Sequence, residues 1–138
     1  MIMNDSGRGA IIRTCMLYFL SIGAVEAAEP NCVRAESSQE IFECSRGVRE
    51  GAVRAVTLSY KNLLNRIQMQ YVNDAALGVD FSKLVASSHK YWVIHTEKDC
   101  RIEAFDIEPG TQAYETTVNH CVARKSVERT TYLDSLVR

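Results

Sequence analysis

The residues able to do chemistry are five cysteines, three histidines and a run of acids. A cysteine nucleophile needs a thiolate of lowered pKa beside a base. A zinc site needs ligands at spacings such as HExxH or paired CxxC, and neither spacing occurs. His89 and His95 are six residues apart and face different sides of a helix, while His120 adjoins Cys121. The best histidine arrangement is His95 with Asp99, at i and i+4, where a carboxylate would hold the ring. Glu97, Asp99, Glu103, Asp106 and Glu108 form an acidic cluster. Glycoside hydrolysis asks for two carboxylates ~5 to 9.5 Å apart across a cleft, whereas alternating acids along a helix make a solvated face. No glycine-rich phosphate loop, nucleophile elbow or dinucleotide motif is present. The expectation is a protein that is not an enzyme and uses no cofactor and no metal.

The cysteines then read as cross-links. Residues 1–27 resemble a secretory signal: Arg8 and Arg13 precede a 12-residue apolar run from Thr14 to Val25, with small residues at the expected cleavage point after Ala27. The run is shorter than the ~20 residues that span a bilayer, so no stable membrane anchor is expected. Arg13 stands where a lipoprotein signal at Cys15 would need small or apolar residues. Cleavage removes Asp5, Arg8, Arg13 and Glu26, two charges of each sign, so the net charge stays at −1, and it removes Cys15. Cys32, Cys44, Cys100 and Cys121 remain, an even number in a chain bound for an oxidising compartment, which predicts two disulfides. With 16 Lys and Arg against 17 Asp and Glu, no basic field exists for nucleic acid. The length after cleavage, residues 28–138, suits one core.

Three amphipathic helices account for that domain, an all-α antiparallel three-helix bundle with two disulfides. Ser37-Ser38-Gln39-Glu40 is a capping box. It opens a helix of about 35 residues whose inner stripe is Ile41, Cys44, Val48, Ala52, Val56, Leu63 and Ile67. Gly47, Gly51 and Ala55 lie on one face, where they would either admit a close neighbour or kink the helix. Val72 to Asp80, containing Gly78, reads as the first loop, with Asp80 capping the second helix. Phe81, Leu84, Val85, Trp92, Asp99, Ile102 and Phe105 form the second stripe, which runs to Ile107 before Pro109 and Gly110. The third helix starts near Thr111, with Tyr114, Val118, Cys121, Val122, Tyr132, Leu133 and Leu136 inward.

This hairpin assigns the bridges. Cys100 lies nine residues before Pro109 and Cys121 eleven after Gly110, so both stand about 14 to 17 Å from the turn. Cys100–Cys121 is therefore expected, leaving Cys32–Cys44. Trp92 is expected to pack against helices one and three, and Arg129 to find an acidic or carbonyl partner.

The spacing Cys32-x11-Cys44, then Leu84 and Trp92-x7-Cys100, then Cys121-x7-Arg129-x3-Leu133, resembles the small secreted helical family named after the LprI-type lysozyme inhibitor, over residues 31–136. The pattern differs at His89, His95 and Thr96, where the family usually carries Gln and a Tyr-Arg pair, and at Leu58-Ser59, where it carries Leu-Asn. The resemblance implies an exported, periplasmic or secreted, disulfide-linked helical domain and, for the founding member, inhibition of lysozyme. The function expected from it is steric plugging of a lysozyme-like, peptidoglycan-cleaving enzyme. The alternatives are immunity against a wall-degrading toxin and a structural or adaptor role in the envelope. A protein partner would meet the loop Glu108-Pro109-Gly110-Thr111-Gln112, braced by the nearby bridge. Because lysozymes are commonly cationic, the acids from Glu97 to Glu108 are expected to assist encounter.

Overall fold

The computed structural model describes residues 32–137. The segment assigned to export lies outside the described residues. A one-turn 3₁₀ helix at Cys32–Arg34 leads into α1 (Ser38–Gln70), α2 (Ala75–Glu103) and α3 (Gln112–Ser135). Among the described residues there is no strand, and no helix is long and apolar enough to cross a membrane.

Each helix begins where a polar side chain accepts an otherwise orphaned backbone amide. At α1, Ser37 Oγ accepts from the Glu40 amide at 3.2 Å, and Glu40 Oε2 accepts from the amides of Ser37 and Glu36 at 3.1 and 2.9 Å. These amides, first that of Glu36, hold the Glu40 carboxyl below its ordinary pKa. At α3, Thr111 Oγ1 accepts from the Tyr114 amide. The second start differs from expectation. Asp74, not Asp80, caps α2 by accepting from the Leu77 amide at 3.1 Å. Ala75, Ala76 and Leu77 are strong helix formers, so the helix nucleates as soon as a cap is available. Asp80 sits within α2 as an exposed partner of Lys83. Gly78 is therefore helical, and it is buried because a Cβ there would lie 2.9 Å from Tyr71 Cβ. It marks close packing of the α1–α2 corner, not a loop. Gly51, in contrast, faces open space apart from the tip of Arg54, and α1 runs unbroken through it.

Hydrogen bonds between α1 and α3 climb both helices together, from Arg49 with Asn119 to Arg66 with Leu133, so these two run parallel and α2 returns antiparallel between their ends. The α1–α3 seam is built of small and polar side chains. Ser45, Ser59, Asn119, Ala123 and Ser126 are all buried. Arg49 donates to Asn119 Oδ1 at 3.1 Å, Asn119 Nδ2 donates to Ser45 Oγ at 3.1 Å, and Ser45 donates to the Phe42 carbonyl at 2.7 Å. Further along, the Ser59 hydroxyl donates to the Asp134 carboxylate. Arg66 then ties down the end of α3, donating to the carbonyls of Leu133, Leu136 and Val137 at 3.0, 3.2 and 2.9 Å.

Apolar burial gathers at the two ends. One cluster holds Val56, Leu63, Ile67, Val85 and Leu133, with Trp92 packed against it. The other holds Cys100, Ala104, Val118, Cys121 and Val122 beside the α2–α3 turn. Both expected disulfides are present: Cys32–Cys44 and Cys100–Cys121, with Cα atoms 5.6 and 5.5 Å apart. Two such bridges belong to a protein folded away from the reducing cytoplasm.

Candidate protein-contact site at the α2–α3 turn

The α2–α3 turn is ordered by local bonds. Ala104 closes α2 by donating to the Cys100 carbonyl, and two further tight turns follow, Phe105 to Ile102 at 3.1 Å and Ile107 to Ala104 at 3.0 Å. The helix thus ends at Glu103, before the expected Ile107. This tightening turns Phe105 away from the bundle, to 83% exposure, with Ile102 at 70%. Both had been assigned to the inward stripe. Helical periodicity placed them there; Phe105 lies past the end of α2, whereas Ile102 is still within the helix, on its solvent face.

Glu108, Pro109, Gly110, Thr111 and Gln112 are all exposed. Gly110 takes the left-handed conformation, φ +83°, open to glycine without strain. Thr111 donates from both its amide and its hydroxyl to the Glu108 carbonyl. The Gln112 amide group hydrogen-bonds Gln39 at the start of α1. With the buried Cys100–Cys121 bridge beneath, the turn is fixed to all three helices. The charge around it is largely internally paired. Glu103 forms a bidentate contact with Arg124 at 2.8 and 2.9 Å, which raises the Arg124 pKa. Asp99 pairs with Lys125 at 3.0 Å and Glu97 with Arg101 at 3.4 Å. Three acids expected to attract a cationic partner are thus neutralised by their neighbours, and Asp99 is held by Lys125, not by His95. Among the described residues no group of three or more His, Cys, Asp or Glu side chains is placed to hold a metal ion.

The motif residues of α2 and α3 meet in a different way from the acid or carbonyl contact expected for Arg129. Its guanidinium donates to Ser88 Oγ at 3.0 Å and lies over the rings of Trp92, at 5.8 Å, and Tyr132, at 5.0 Å. Burial lowers its pKa. Ring quadrupoles take the place of a counter-anion here. On the other side Trp92 stacks on His89, with centroids 5.5 Å apart, and His89 stacks on Tyr60 at 4.3 Å. Burial, then the Arg129 charge, holds the His89 pKa below its ordinary 6.5. The column Tyr60–His89–Trp92–Arg129–Tyr132 therefore laces the three helices together. Leu133 is 1% exposed, in the core, whereas Leu84 is 68% exposed on the rim of a shallow hollow of about 220 Å³ beside Arg129.

A DUF1311 family protein from Pseudomonas putida KT2440, known from its crystal structure, is 30% identical to this chain, with a TM-score of 0.65 over 77% of this chain and 96% of that one. The chain belongs to the DUF1311 family. No family model matches the sequence, and no curated protein does. Membership accounts for the helical scaffold. It names no activity, so the chemistry of the DUF1311 surface has to be read from its own residues.

Proposed function

We propose that this DUF1311 protein is an exported, periplasmic or secreted binding protein of LprI-like type that blocks a lysozyme-like wall hydrolase by occupying its cleft, with no bond-making of its own. DUF1311 is the LprI-like family, which supports the reading. The observation that carries it is Phe105, 83% exposed on a turn braced by a buried disulfide. Aromatic side chains, phenylalanine among them, are enriched in the buried centres of protein–protein interfaces. A turn already held in one conformation gives up little entropy on docking. The turn supplies shape, and the paired acids around it leave little long-range steering, so association depends on fit more than on charge.

The test is lysozyme activity against bacterial cell walls with the purified, oxidised protein in molar excess. Loss of activity that follows the added protein supports the proposal; undiminished activity contradicts it. Phe105→Ala is expected to weaken inhibition at least tenfold.

A further inference from the structure

α2 carries a second row of apolar side chains on its outer side. Leu77, Leu84 and Tyr91 recur every seven residues, Ile94 and Ile102 extend the row, and all five are between 40% and 70% exposed. At 3.6 residues per turn the row lies about 140° round the axis from Gly78, Val85, Thr96 and Cys100, the buried residues of the helix, and it runs for about 38 Å. Single exposed apolar residues are ordinary, whereas a continuous row marks an interaction face. These five side chains leave on the order of 500 Å² in water, so a symmetric contact between two copies buries on the order of 1,000 Å² from them alone, the size at which specific interfaces begin.

A seven-residue repeat is the spacing at which one helix pairs with another, and polar members of the seam set the orientation. Here those members are Asp80, Ser87, Lys98 and Arg101, all exposed. Among the described residues Asp80 meets Lys83 alone, at 3.5 Å with both side chains about three-quarters exposed, and Lys98 forms no ion pair. Two α2 helices laid parallel would set Asp80 against Asp80, Lys98 against Lys98 and Arg101 against Arg101, which like-charge repulsion forbids. Laid antiparallel about a two-fold axis level with His89, Asp80 meets Lys98, Leu84 meets Ile94 and Ser87 meets Tyr91. Leu77 meets Ile102 and the aliphatic stem of Arg101. At the edge Lys83 faces Glu97 on both sides of the axis, against a single approach of Lys90 to Lys90. Residue 89 is also the midpoint of Ala75–Glu103, so the register that pairs the charges overlaps the two helices from end to end.

We propose that the protein forms a two-fold symmetric dimer through this face, α2 against the antiparallel α2 of a second copy. The order of charges selects a second copy as the occupant, because the row is complementary to its own reverse, as an isologous interface requires. Phe105 lies past the last paired layer, and the dimer does not depend on lysozyme inhibition.

Sedimentation equilibrium of the oxidised protein from about 1 to 200 µM, the range in which a contact of this size and mixed polarity dissociates, measures the association. The expected result is a monomer–dimer equilibrium. Leu84→Glu, at an exposed position, weakens it at least tenfold with unchanged helical circular dichroism. Asp80→Lys weakens it at least fivefold by bringing two cations together, and adding Lys98→Asp to that variant restores the affinity, a rescue that a parallel pair cannot give. A monomer at every concentration overturns the proposal, as does a dimer that Leu84→Glu leaves unchanged or a double exchange that fails to restore association.

Discussion

Replacing both cysteines of the α2–α3 bridge, Cys100→Ala with Cys121→Ala, tests how the turn is held. The bridge spans a sequence separation of 21 and the N-terminal one a separation of 12. Loop-closure entropy assigns them about 3.4 and 2.9 kcal/mol, nearly the same value. Packing separates them. Cys100 and Cys121 are 0% and 3% exposed within an apolar cluster, whereas Cys44 is only half-buried. Truncating two buried sulfur-bearing side chains adds roughly 1 kcal/mol each. The expected loss is then about 5 kcal/mol for the Cys100/Cys121 pair and about 3 kcal/mol for Cys32→Ala with Cys44→Ala. A domain of this size has ~5 to 15 kcal/mol in total. Urea unfolding followed by helical circular dichroism measures both variants, with the Trp92 emission as a second probe. Equal losses, or a larger loss at Cys32/Cys44, would refute the argument that the second bridge is a core element as well as a tether.

Three further changes follow from the same contacts. Arg66→Met keeps the aliphatic stem but frees three carbonyls at the end of α3, so about 2 kcal/mol should be lost in urea unfolding, with hydrogen exchange rising first at residues 130–137. Gly78→Ala should destabilise by about 1 kcal/mol despite alanine's better helix propensity, because the new Cβ meets the Tyr71 Cβ at 2.9 Å; a raised melting temperature would show that the corner is loose. His89 has a folded pKa below 6.5, so the unfolded chain binds the extra proton between those two values and stability rises with pH across that window. The melting temperature should therefore fall as the pH drops below 6.5 and level off once the folded ring is also protonated, and His89→Gln should flatten the profile.

The parts of this fold that were legible in the sequence are those encoded locally. Ser37 with Glu40, and Thr111 at the third start, are caps that act through their own backbone neighbours. The cysteine heights about Pro109 and Gly110 likewise follow from chain distance alone. What was missed depends on tertiary contact. Gly78 carries the composition of a loop and the function of a packing site, visible only once Tyr71 lies against it. The α1–α3 seam is hidden from any apolar periodicity because Ser45, Ser59, Asn119 and Ser126 are buried and hydrogen-bonding, or simply small. Arg129 was identified, but its setting among two rings and a serine needs residues from two helices at once. The candidate loop was legible as a loop. Phe105, its most prominent apolar group, was not, because periodicity continued the helix four residues too far.

The account rests most directly on the contact made by the α2–α3 turn. Calorimetric titration of a lysozyme with the oxidised protein and with Phe105→Asp measures it. The predicted result is saturable binding by the unaltered protein and at least tenfold weaker binding by the variant, with the same melting temperature for both. Equal affinity, or no binding by either, would contradict it.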